Sequence, residues 1–249
     1  MAQNSTSKRY AHGPNSANLH ISLTEFRNES RILKETSSLV KNNIFSVIQV
    51  AALHADTLAI DQDYSKNIHV HRFALQSRGY GGNFLVQAIK YLEYCIRVYL
   101  YYRHKGIKCI NIHSLGLLPL GIALKRIWNV PLIYDAHELE TEVNGVTHFR
   151  KKISKWLERQ LIKSVDAVIV VSEGIADWYA ETYSIQRPTV VLNAPPRRAL
   201  HYCNHFREQL GIRSNQAILL YQGGLAHGRG VSLILDAFKS RTDDKIVVV

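Results

Sequence analysis

The most constraining feature of the sequence is residues 217–238, AILLYQGGLAHGRGVSLILDAF, where an apolar run, a glycine-rich segment and an amphipathic segment follow one another directly. The apolar run at 218–221 is short and continuous, which is typical of a strand covered on both faces of a parallel sheet. The segment after the glycines repeats apolar side chains with helical spacing. The sequence therefore predicts a strand, a tight turn and a helix, the unit from which parallel α/β sheets are built.

The turn of this unit has the chemistry of an anion site. A helix N-terminus at the carboxyl end of a parallel strand presents free backbone N–H groups, and glycines let a ligand approach them closely. Arg229 lies between two glycines and adds a fixed positive charge. We therefore predict that the turn binds a phosphate or diphosphate through Gly223, Gly224, Arg229 and Gly230. A tight turn without a ligand is the alternative that a glycine cluster alone leaves open.

The rest of the chain alternates between predicted strands and helices, which indicates an α/β fold with a Rossmann-like parallel sheet. Strands are predicted at 19–23, 45–53, 68–75, 109–113, 131–136, 166–172 and 189–192. Helices are predicted at 29–41, 83–104, 117–128, 148–163 and from residue 173, where Ser172 is the expected N-cap. The polar residues 61–67 are predicted to form a loop.

The distribution of these segments predicts two domains of unequal size. Residues 1–18 are polar and are predicted to be a disordered tail, 19–196 to form the first domain, and 197–216 to form a linker with a helix. Residues 217–249 supply only a strand, a helix and a second strand at the terminal KIVVV. Because a parallel sheet needs helices on both faces, we interpret this part as an incomplete second domain and the chain as a truncated form.

The net charge of +11 and the isoelectric point near 9.6 predict an anionic partner. The sequence contains no zinc-finger spacing, ribonucleoprotein signature or basic heptad array, so nucleic acid is not predicted. The basic amphipathic segment 148–163 favours either an anionic membrane surface or the commoner arrangement, in which its apolar stripe packs on the sheet. The phosphates of a nucleotide sugar are the third anionic partner that this charge would suit.

Cysteine usage and the N-terminal segment favour a cytoplasmic protein. Three cysteines without CxxC spacing do not fit a disulfide framework or a zinc ribbon. Residues 1–18 lack the apolar core of a signal peptide. The long apolar segment 83–104 carries Lys90, Glu93 and Arg97 along its central turns, which excludes a membrane span. Peripheral binding to the inner face of a membrane remains compatible with this interpretation.

Polar residues follow two of the predicted strands. In an open α/β sheet, ligands bind beyond the carboxyl ends of the strands, where His113 and His137 fall. Asp135, Glu138 and Glu140 surround His137 with carboxylates that can orient the imidazole or raise its pKa. A hydrogen-bonded structural histidine is the alternative left open for His113.

Five stretches together resemble the retaining glycosyltransferases of the GT-B class, family 4. They are NESRILKE at 28–35, YDAHELE at 134–140, DAVIVVSEGIAD at 166–177, VVLNAPP at 190–196 and YQGGLAHGRG at 221–230. The resemblance implies two Rossmann-like domains, of which the N-terminal one receives the acceptor and the C-terminal one holds the nucleotide-sugar donor. Reaction then takes place in the cleft between them.

The resemblance also implies roles for individual residues. His137 matches the family's cleft histidine and, with Glu138, is the implied catalytic pair; His113, Ser172, Glu173 and Asn193 are the implied lining of the cleft. Arg229 takes the place of the family's basic residue at the donor diphosphate, whereas Gly224 stands where many members have an arginine. The family's EX7E donor motif would lie beyond residue 249. No cofactor and no bound metal are implied.

The implied activity is transfer of a sugar from a nucleotide-diphosphate sugar to a lipid-linked or polysaccharide acceptor with retention, with the chain alone expected to be inactive. A non-catalytic remnant that binds a membrane or a partner is the alternative. A nucleotide-sugar epimerase built on the same double-Rossmann plan is a weaker one. The donor sugar, the acceptor and the linkage are left open.

Overall fold

The computed structural model describes residues 16–27, 29–137, 139, 148–195, 197, 199, 201–225, 228–239, 241 and 245–249. The chain divides into two compact units, Met1–Asn193 and Ala194–Val249. The first unit contains the large sheet and the histidines of interest, and the second contains the glycine-rich turn. Each is described by itself.

The first unit is built on a sheet that has eight strands within the described residues, in the order β3-β4-β2-β1-β5-β6-β7-β8. All neighbouring pairs are parallel except β3 with β4, which confirms the predicted α/β fold with a Rossmann-like parallel sheet. The strands are β1 (Ala17–Ile21), β2 (Val47–Leu53), β3 (Asp61–Ser65), β4 (Ile68–Phe73), β5 (Ile107–Ile112), β6 (Leu132–Ala136), β7 (Ala167–Val170) and β8 (Thr189–Val190).

Helices connect these strands. They are α1 (Ser30–Lys41), α2 (Phe84–Tyr102), α3 (Leu118–Trp128), α4 (His148–Leu161) and α5 (Glu173–Tyr183). Two of them begin at side-chain caps: the Asn83 side chain accepts from Val86 N at 2.9 Å, and Ser172 Oγ accepts from Ile175 N at 3.3 Å. The second of these confirms the cap predicted at Ser172. Among the described helices, none combines the length and the apolarity needed to cross a bilayer.

The predictions for two polar segments differ from the structure. Strand β1 begins at Ala17, inside the range predicted to be a disordered tail, and residues 1–15 lie outside the described part. The segment predicted as a loop at 61–67 contains strand β3, which pairs antiparallel with β4. Its residues DQDYS are polar because β3 is at the sheet edge with one face exposed, so the apolar run that marks the other strands is missing there.

Apolar side chains cover both faces of the sheet. One cluster, which includes Leu19, Ile110 and Tyr134, packs beneath α2, α3 and α5. The second cluster, which includes Ile32 and Val50, packs beneath α1. These two layers bury the strands, so the polar ends of the central strands are held in fixed positions.

One buried acid ties three elements of the first unit together. Glu158, on α4, is fully buried and accepts hydrogen bonds from the hydroxyls of Tyr134 at 3.0 Å, Tyr179 at 2.7 Å and Tyr183 at 2.6 Å. Burial and the neighbouring Glu158 raise the pKa of Tyr179 far above its usual range, so this hydroxyl remains a donor. The packed side of α4 is therefore specified by a polar contact as well as by its apolar residues.

The second unit contains the predicted strand, turn, helix and strand. Its elements are α6 (His205–Leu210), β9 (Ala217–Leu219), α7 (Val231–Lys239) and β10 (Ile246–Val248), with β9 and β10 parallel. The prediction that its first strand is covered on both faces is wrong for the described residues. Leu219 and Leu220 are 43% and 50% exposed, because a parallel strand pair needs helices on both faces to be covered and no described residue of α7 is buried.

Candidate active site

The candidate site lies at the carboxyl ends of three neighbouring strands. Strands β1, β5 and β6 are adjacent and parallel, so the polar residues at their ends meet at one edge of the sheet. These residues are His20 in β1, His113 after β5, and Asp135 and His137 at the end of β6. Arg31, on the first turn of α1, completes the cluster.

Asp135 is the centre of the cluster and is fully buried. Its Oδ2 lies 3.1 Å from Arg31 Nε, 3.0 Å from His113 Nδ1 and 2.9 Å from His137 Nε2, and its Oδ1 accepts from a second guanidinium nitrogen. Burial alone would raise the pKa of Asp135, but hydrogen bonds from His113, His137 and Arg31 hold it well below its usual range. Asp135 is therefore a carboxylate near neutral pH, able to orient both imidazoles.

His137 is the member of the cluster that solvent reaches. Its side chain is 29% exposed, whereas that of His113 is 1% exposed. Burial lowers the pKa of His137, but its hydrogen bond to Asp135 and the negative charge of that carboxylate outweigh this effect and raise the pKa above the ordinary value. An imidazole with these properties can hold a proton near neutral pH and present it to a ligand.

Glu35 lies one helical turn after Arg31, with Oε1 3.2 Å from Arg31 Nε. This ion pair is not a hydrogen bond, because the Nε hydrogen points at Asp135, and Glu35 Oε1 accepts no hydrogen bond from the described residues. Burial, followed by the charge of Asp135, raises the pKa of Glu35 to about 8. Two carboxylates therefore surround one guanidinium, and the cluster favours uptake of a proton.

A chain of buried polar side chains lies behind His113. His113 Nε2 is 2.9 Å from His20 Nδ1, and His20 Nε2 is 2.6 Å from Asn18 Oδ1. The Asn18 amide nitrogen donates to Cys109 O at 3.0 Å and to Asn111 Oδ1 at 2.8 Å. Asn18, His20 and His113 are each at least 94% buried, so these groups are held rigidly under the edge of the sheet.

The structure brings together the two histidines that sequence analysis placed at this edge. His113 and His137 lie with Nδ1 and Nε2 3.3 Å apart. Asn193 lies near α1, where its Oδ1 accepts from Lys34 at 3.1 Å. Glu138 lies outside the described residues.

The two remaining cleft candidates have other contacts. Ser172 caps α5 through its hydroxyl, and Glu173 is an exposed residue that pairs with Arg187. Neither has a described hydrogen bond to the histidine cluster. Their place in a cleft stays a prediction.

The predicted phosphate-binding residues belong to the second unit. Gly228 and Gly230 have φ values of 82° and 77°, in the left-handed region that favours glycine, and α7 begins directly after them. Arg229 is exposed between them. Gly223 and Gly224 do not have positive φ, and a Cβ on Gly224 would meet nothing within 4 Å, so conformation does not require glycine at 224.

Two sets of side chains in the described residues have the donor atoms of a metal site. His113, Asp135 and His137 form one set and His20, Glu35 and His113 the other, each with its atoms within 4.8 Å of one another. Arg31 already neutralises Asp135, which disfavours a cation in the first set. The absence of a bound metal stays a prediction.

Sequence analysis missed three members of the cluster, namely His20, Arg31 and Glu35. The sequence predicts a short apolar strand around His20, although Asn18, His20 and Ser22 alternate along it and share one face. Three polar side chains on one face of a buried strand are a signal of a polar cluster. Arg31 and Glu35 have the i,i+4 spacing of an ordinary helical ion pair, and only the packing of α1 reveals their burial.

An open cavity of about 430 Å³ lies near the same edge, between the ends of β1, β2 and β4 and helix α2. Most of its lining is apolar, including Leu53, Phe73 and Tyr94. Lys90 adds a positive charge, whereas Arg78 pairs with Glu25, which also lines the cavity, at 3.3 Å. This cavity can receive an apolar group that carries an anionic substituent.

Comparison with known proteins identifies the class first. The parallel sheet of the first unit, with polar residues at its carboxyl edge, and the parallel strand–helix–strand of the second define a GT-B glycosyltransferase fold. Residues 48–194, more than half of the chain, match the description Glycosyltransferase Family 4. The chain belongs to this family. No curated protein matches the sequence.

Solved structures support the fold. Sucrose-phosphate synthase from Thermosynechococcus elongatus is 13% identical with a TM-score of 0.69, and the match covers 94% of this chain and 62% of that one. A glycosyltransferase from Rickettsia africae is 12% identical with a TM-score of 0.59, covering 94% and 59%. The Anabaena protein HepE, in complex with UDP-glucose, is 13% identical with a TM-score of 0.57, covering 93% and 59%. The chain thus spans about three fifths of the length of these proteins.

Proposed function

We propose that the protein transfers a glycosyl group from a nucleotide-diphosphate sugar to an acceptor hydroxyl with retention of configuration. The observation that carries the proposal is the convergence of His113, Asp135 and His137 at the carboxyl edge of the sheet, with Arg31 fixing Asp135. Family membership supports the reaction type. A structural polar cluster would not need the solvent-facing imidazole of His137.

The chemistry requires a cation or a proton where the diphosphate leaves. As the bond between the anomeric carbon and the diphosphate oxygen breaks, positive charge develops on the sugar and negative charge on the leaving group. The acceptor oxygen forms the new bond on the same face and its proton passes to the leaving diphosphate. His137, with its raised pKa, is proposed to stabilise the negative charge on the leaving diphosphate by hydrogen bonding, while Asp135 holds the imidazole ring in place.

The second unit supports a nucleotide-diphosphate donor. Its left-handed Gly228 and Gly230 expose backbone N–H groups before α7, and Arg229 adds positive charge. We propose that this turn binds the donor diphosphate, with Gly223 and Gly224 contributing backbone N–H groups. The HepE structures contain UDP and UDP-glucose, which favours a uridine diphosphate sugar as the first donor to test.

The cavity beside α2 supports a lipid-linked acceptor over a free polysaccharide. An apolar lining with the positive charge of Lys90 suits a hydrocarbon chain that carries a phosphate. The outer face of α2 continues this apolar surface, since Leu85, Leu92 and Ile96 are 71%, 61% and 52% exposed. A glycan acceptor would instead be expected to meet polar side chains.

Binding to an anionic membrane is a second candidate function, which the exposed residues of α4 favour. Trp156 and Ile153 are 63% and 48% exposed, and the basic Lys152 and Arg159 are exposed on the same helix. Such a surface suits the headgroup region of a bilayer. It is compatible with the transferase activity and also with a non-catalytic protein.

The test is an assay of donor turnover with the purified full-length protein. Uridine and guanosine diphosphate sugars are offered with and without a prenyl-phosphate or glycan acceptor, and released nucleoside diphosphate is measured. The proposal predicts acceptor-dependent release with at least one donor and a product whose anomeric configuration, determined by NMR, equals that of the donor. Vesicle binding without turnover of any donor would favour the non-catalytic alternative.

A further inference from the structure

The buried pair of His20 and His113 presents a hydrogen-counting problem. Three contacts connect Asn18, His20, His113 and Asp135 in series: Asn18 Oδ1 to His20 Nε2, His20 Nδ1 to His113 Nε2, and His113 Nδ1 to Asp135 Oδ2. Their lengths are 2.6, 2.9 and 3.0 Å, each within hydrogen-bond range. Every contact therefore requires one hydrogen.

Both ends of this series are acceptors. The Asn18 amide nitrogen donates to the backbone carbonyl of Cys109, which can only accept, so the oxygen of Asn18 must be the atom facing His20. At the other end Asp135 is a carboxylate, paired at two points with Arg31. All three hydrogens must therefore come from the two imidazole rings.

Two neutral imidazoles carry only two ring hydrogens between them. If His20 donates to Asn18 and His113 donates to Asp135, then the lone pairs of His20 Nδ1 and His113 Nε2 face each other at 2.9 Å. That arrangement is repulsive in a buried site unless a cation lies between the two nitrogens.

The distance between the nitrogens identifies the cation. Two imidazoles on a tetrahedral metal ion, with bonds of about 2.0–2.1 Å, place their nitrogens roughly 3.3 Å apart. The observed 2.9 Å is shorter and matches an N–H···N hydrogen bond. We propose that the His20–His113 pair binds one excess proton, which makes it a buried monocation beneath the carboxyl edge of the sheet.

The groups around the pair compete with it for this proton. A carboxylate oxygen of Glu35 lies within 4.8 Å of a ring nitrogen of His20 and of His113, and Glu35 Oε1 accepts no hydrogen bond from the described residues. Around the pair, Glu35 and Asp135 are the facing carboxyl groups, Arg31 the fixed cation and His137 the neighbouring titratable ring. Burial lowers the pKa of both His20 and His113, and the pKa of Glu35 is raised to about 8, so Glu35 is the competing site. A proton on Glu35 would leave the contact between the rings without a hydrogen, and the hydrogen bond at that contact is what favours the pair.

The consequence is a role for His20, which does not reach the edge itself. By accepting from His113 Nε2, it leaves His113 Nδ1 protonated and donating to Asp135, at 3.3 Å from His137 Nε2. His20 is thus a positioning residue that keeps a positive charge next to His137. This functional consequence rests on the proposed transferase activity, whereas the proton count does not.

Histidine NMR of the full-length protein tests the count directly. Selective ¹⁵N labelling and two-bond ¹H–¹⁵N spectra at pH 7 show which ring nitrogens carry hydrogen. We expect three hydrogens on the two rings in the wild type and one on His113 in His20→Phe. In Asn18→Leu, which removes the acceptor at the end of the series, we expect two hydrogens on the two rings. His69→Phe, a partly exposed histidine paired with Asp63, is the matched control and should leave the count at three.

The wild-type spectrum alone gives the number of ring hydrogens on His20 and His113, even if a variant fails to fold. Two ring hydrogens at pH 7, with the proton on Glu35, would overturn the proposal. So would two ring hydrogens together with stoichiometric metal in the purified protein. If the count is three but no donor is turned over, the proton site stands and the transferase function fails. In an active enzyme, His20→Phe should lower kcat and shift its pH profile while KM stays unchanged.

Discussion

Arg31 and Asp135, separated by 104 residues in the chain, form a two-point ion pair that joins α1 to the end of β6. Both side chains are more than 90% buried. The guanidinium also donates to the backbone carbonyl of Val191 at 3.1 Å. This pair fixes the carboxylate on which His113 and His137 converge, so the geometry of the candidate site depends on it.

Removal of the guanidinium should destabilise the fold strongly. Arg31→Met leaves a buried carboxylate without its cation, which costs about 3–5 kcal/mol. Arg31→Lys should lose less stability than Arg31→Met but still be less stable than the wild type, because an ammonium keeps the charge and cannot form the two-point contact. Urea denaturation measures the free energy of unfolding. Arg27→Met, which breaks an exposed pair with Glu25, is the control and should cost less than about 1 kcal/mol. Equal losses of stability in Arg31→Met and Arg27→Met would contradict the stabilising role of the ion pair between Arg31 and Asp135.

The tyrosines around Glu158 give a second test of stability. Glu158→Ala removes the carboxylate to which three buried hydroxyls donate, and we expect a loss of about 3 kcal/mol or more. Tyr183→Phe removes one of the three hydrogen bonds and should cost about 1–2 kcal/mol. Tyr80→Phe, at a 62% exposed position, should change the free energy of unfolding by less than about 0.5 kcal/mol. Unchanged stability in Glu158→Ala would contradict the role of this contact.

Glu93 predicts how stability depends on acid pH. Although burial alone would raise its pKa, hydrogen bonds from Ser77, Gln76 and Arg97 lower it to about 2 from an ordinary 4.5. Because the folded-state pKa is the lower one, this stabilisation is complete above pH 4.5 and is lost as the pH falls toward 2.

Stability measured against pH should therefore fall less steeply between pH 4.5 and 2 in Glu93→Gln than in the wild type. The exposed Glu181, on α5, provides the control, and Glu181→Gln should keep the wild-type slope. Identical slopes for Glu93→Gln and the wild type would show that these hydrogen bonds do not hold the carboxylate.

The exposed face of α4 predicts weak, salt-sensitive binding to anionic vesicles. Each lysine or arginine near such a surface contributes roughly 1 kcal/mol, and Trp156 can insert at the headgroups. Co-sedimentation at low salt should show binding that decreases in Trp156→Ser and in Lys152→Gln. Leu210→Ser, at a 57% exposed apolar position of the second unit, should bind like the wild type. Equal binding to neutral vesicles, or none to anionic ones, would count against a membrane surface.

Sequence patterns predict the elements of this protein better than the members of its site. Buried parallel strands such as β2 (VIQVAAL) and β6 (LIYDA) are mostly apolar. The edge strand β3 (DQDYS) is polar, so its sequence predicts a loop. His137 could be placed because it follows a strand end among carboxylates. The ion pair of Arg31 with Asp135 could not be predicted, because a helical arginine looks the same in sequence whether it faces solvent or a buried carboxylate.

Turnover in His137→Ala is the measurement that tests the central claim most directly. His137 and His69 both pair with a carboxylate and are 29% and 36% exposed, so their alanine variants are matched in structural cost. Loss of a hydrogen-bond donor that stabilises developing charge lowers turnover by about 10²–10³-fold. In the full-length enzyme, we predict a decrease of this size for His137→Ala and wild-type turnover for His69→Ala, with both melting like the wild type. Wild-type turnover in a correctly folded His137→Ala variant would contradict the account.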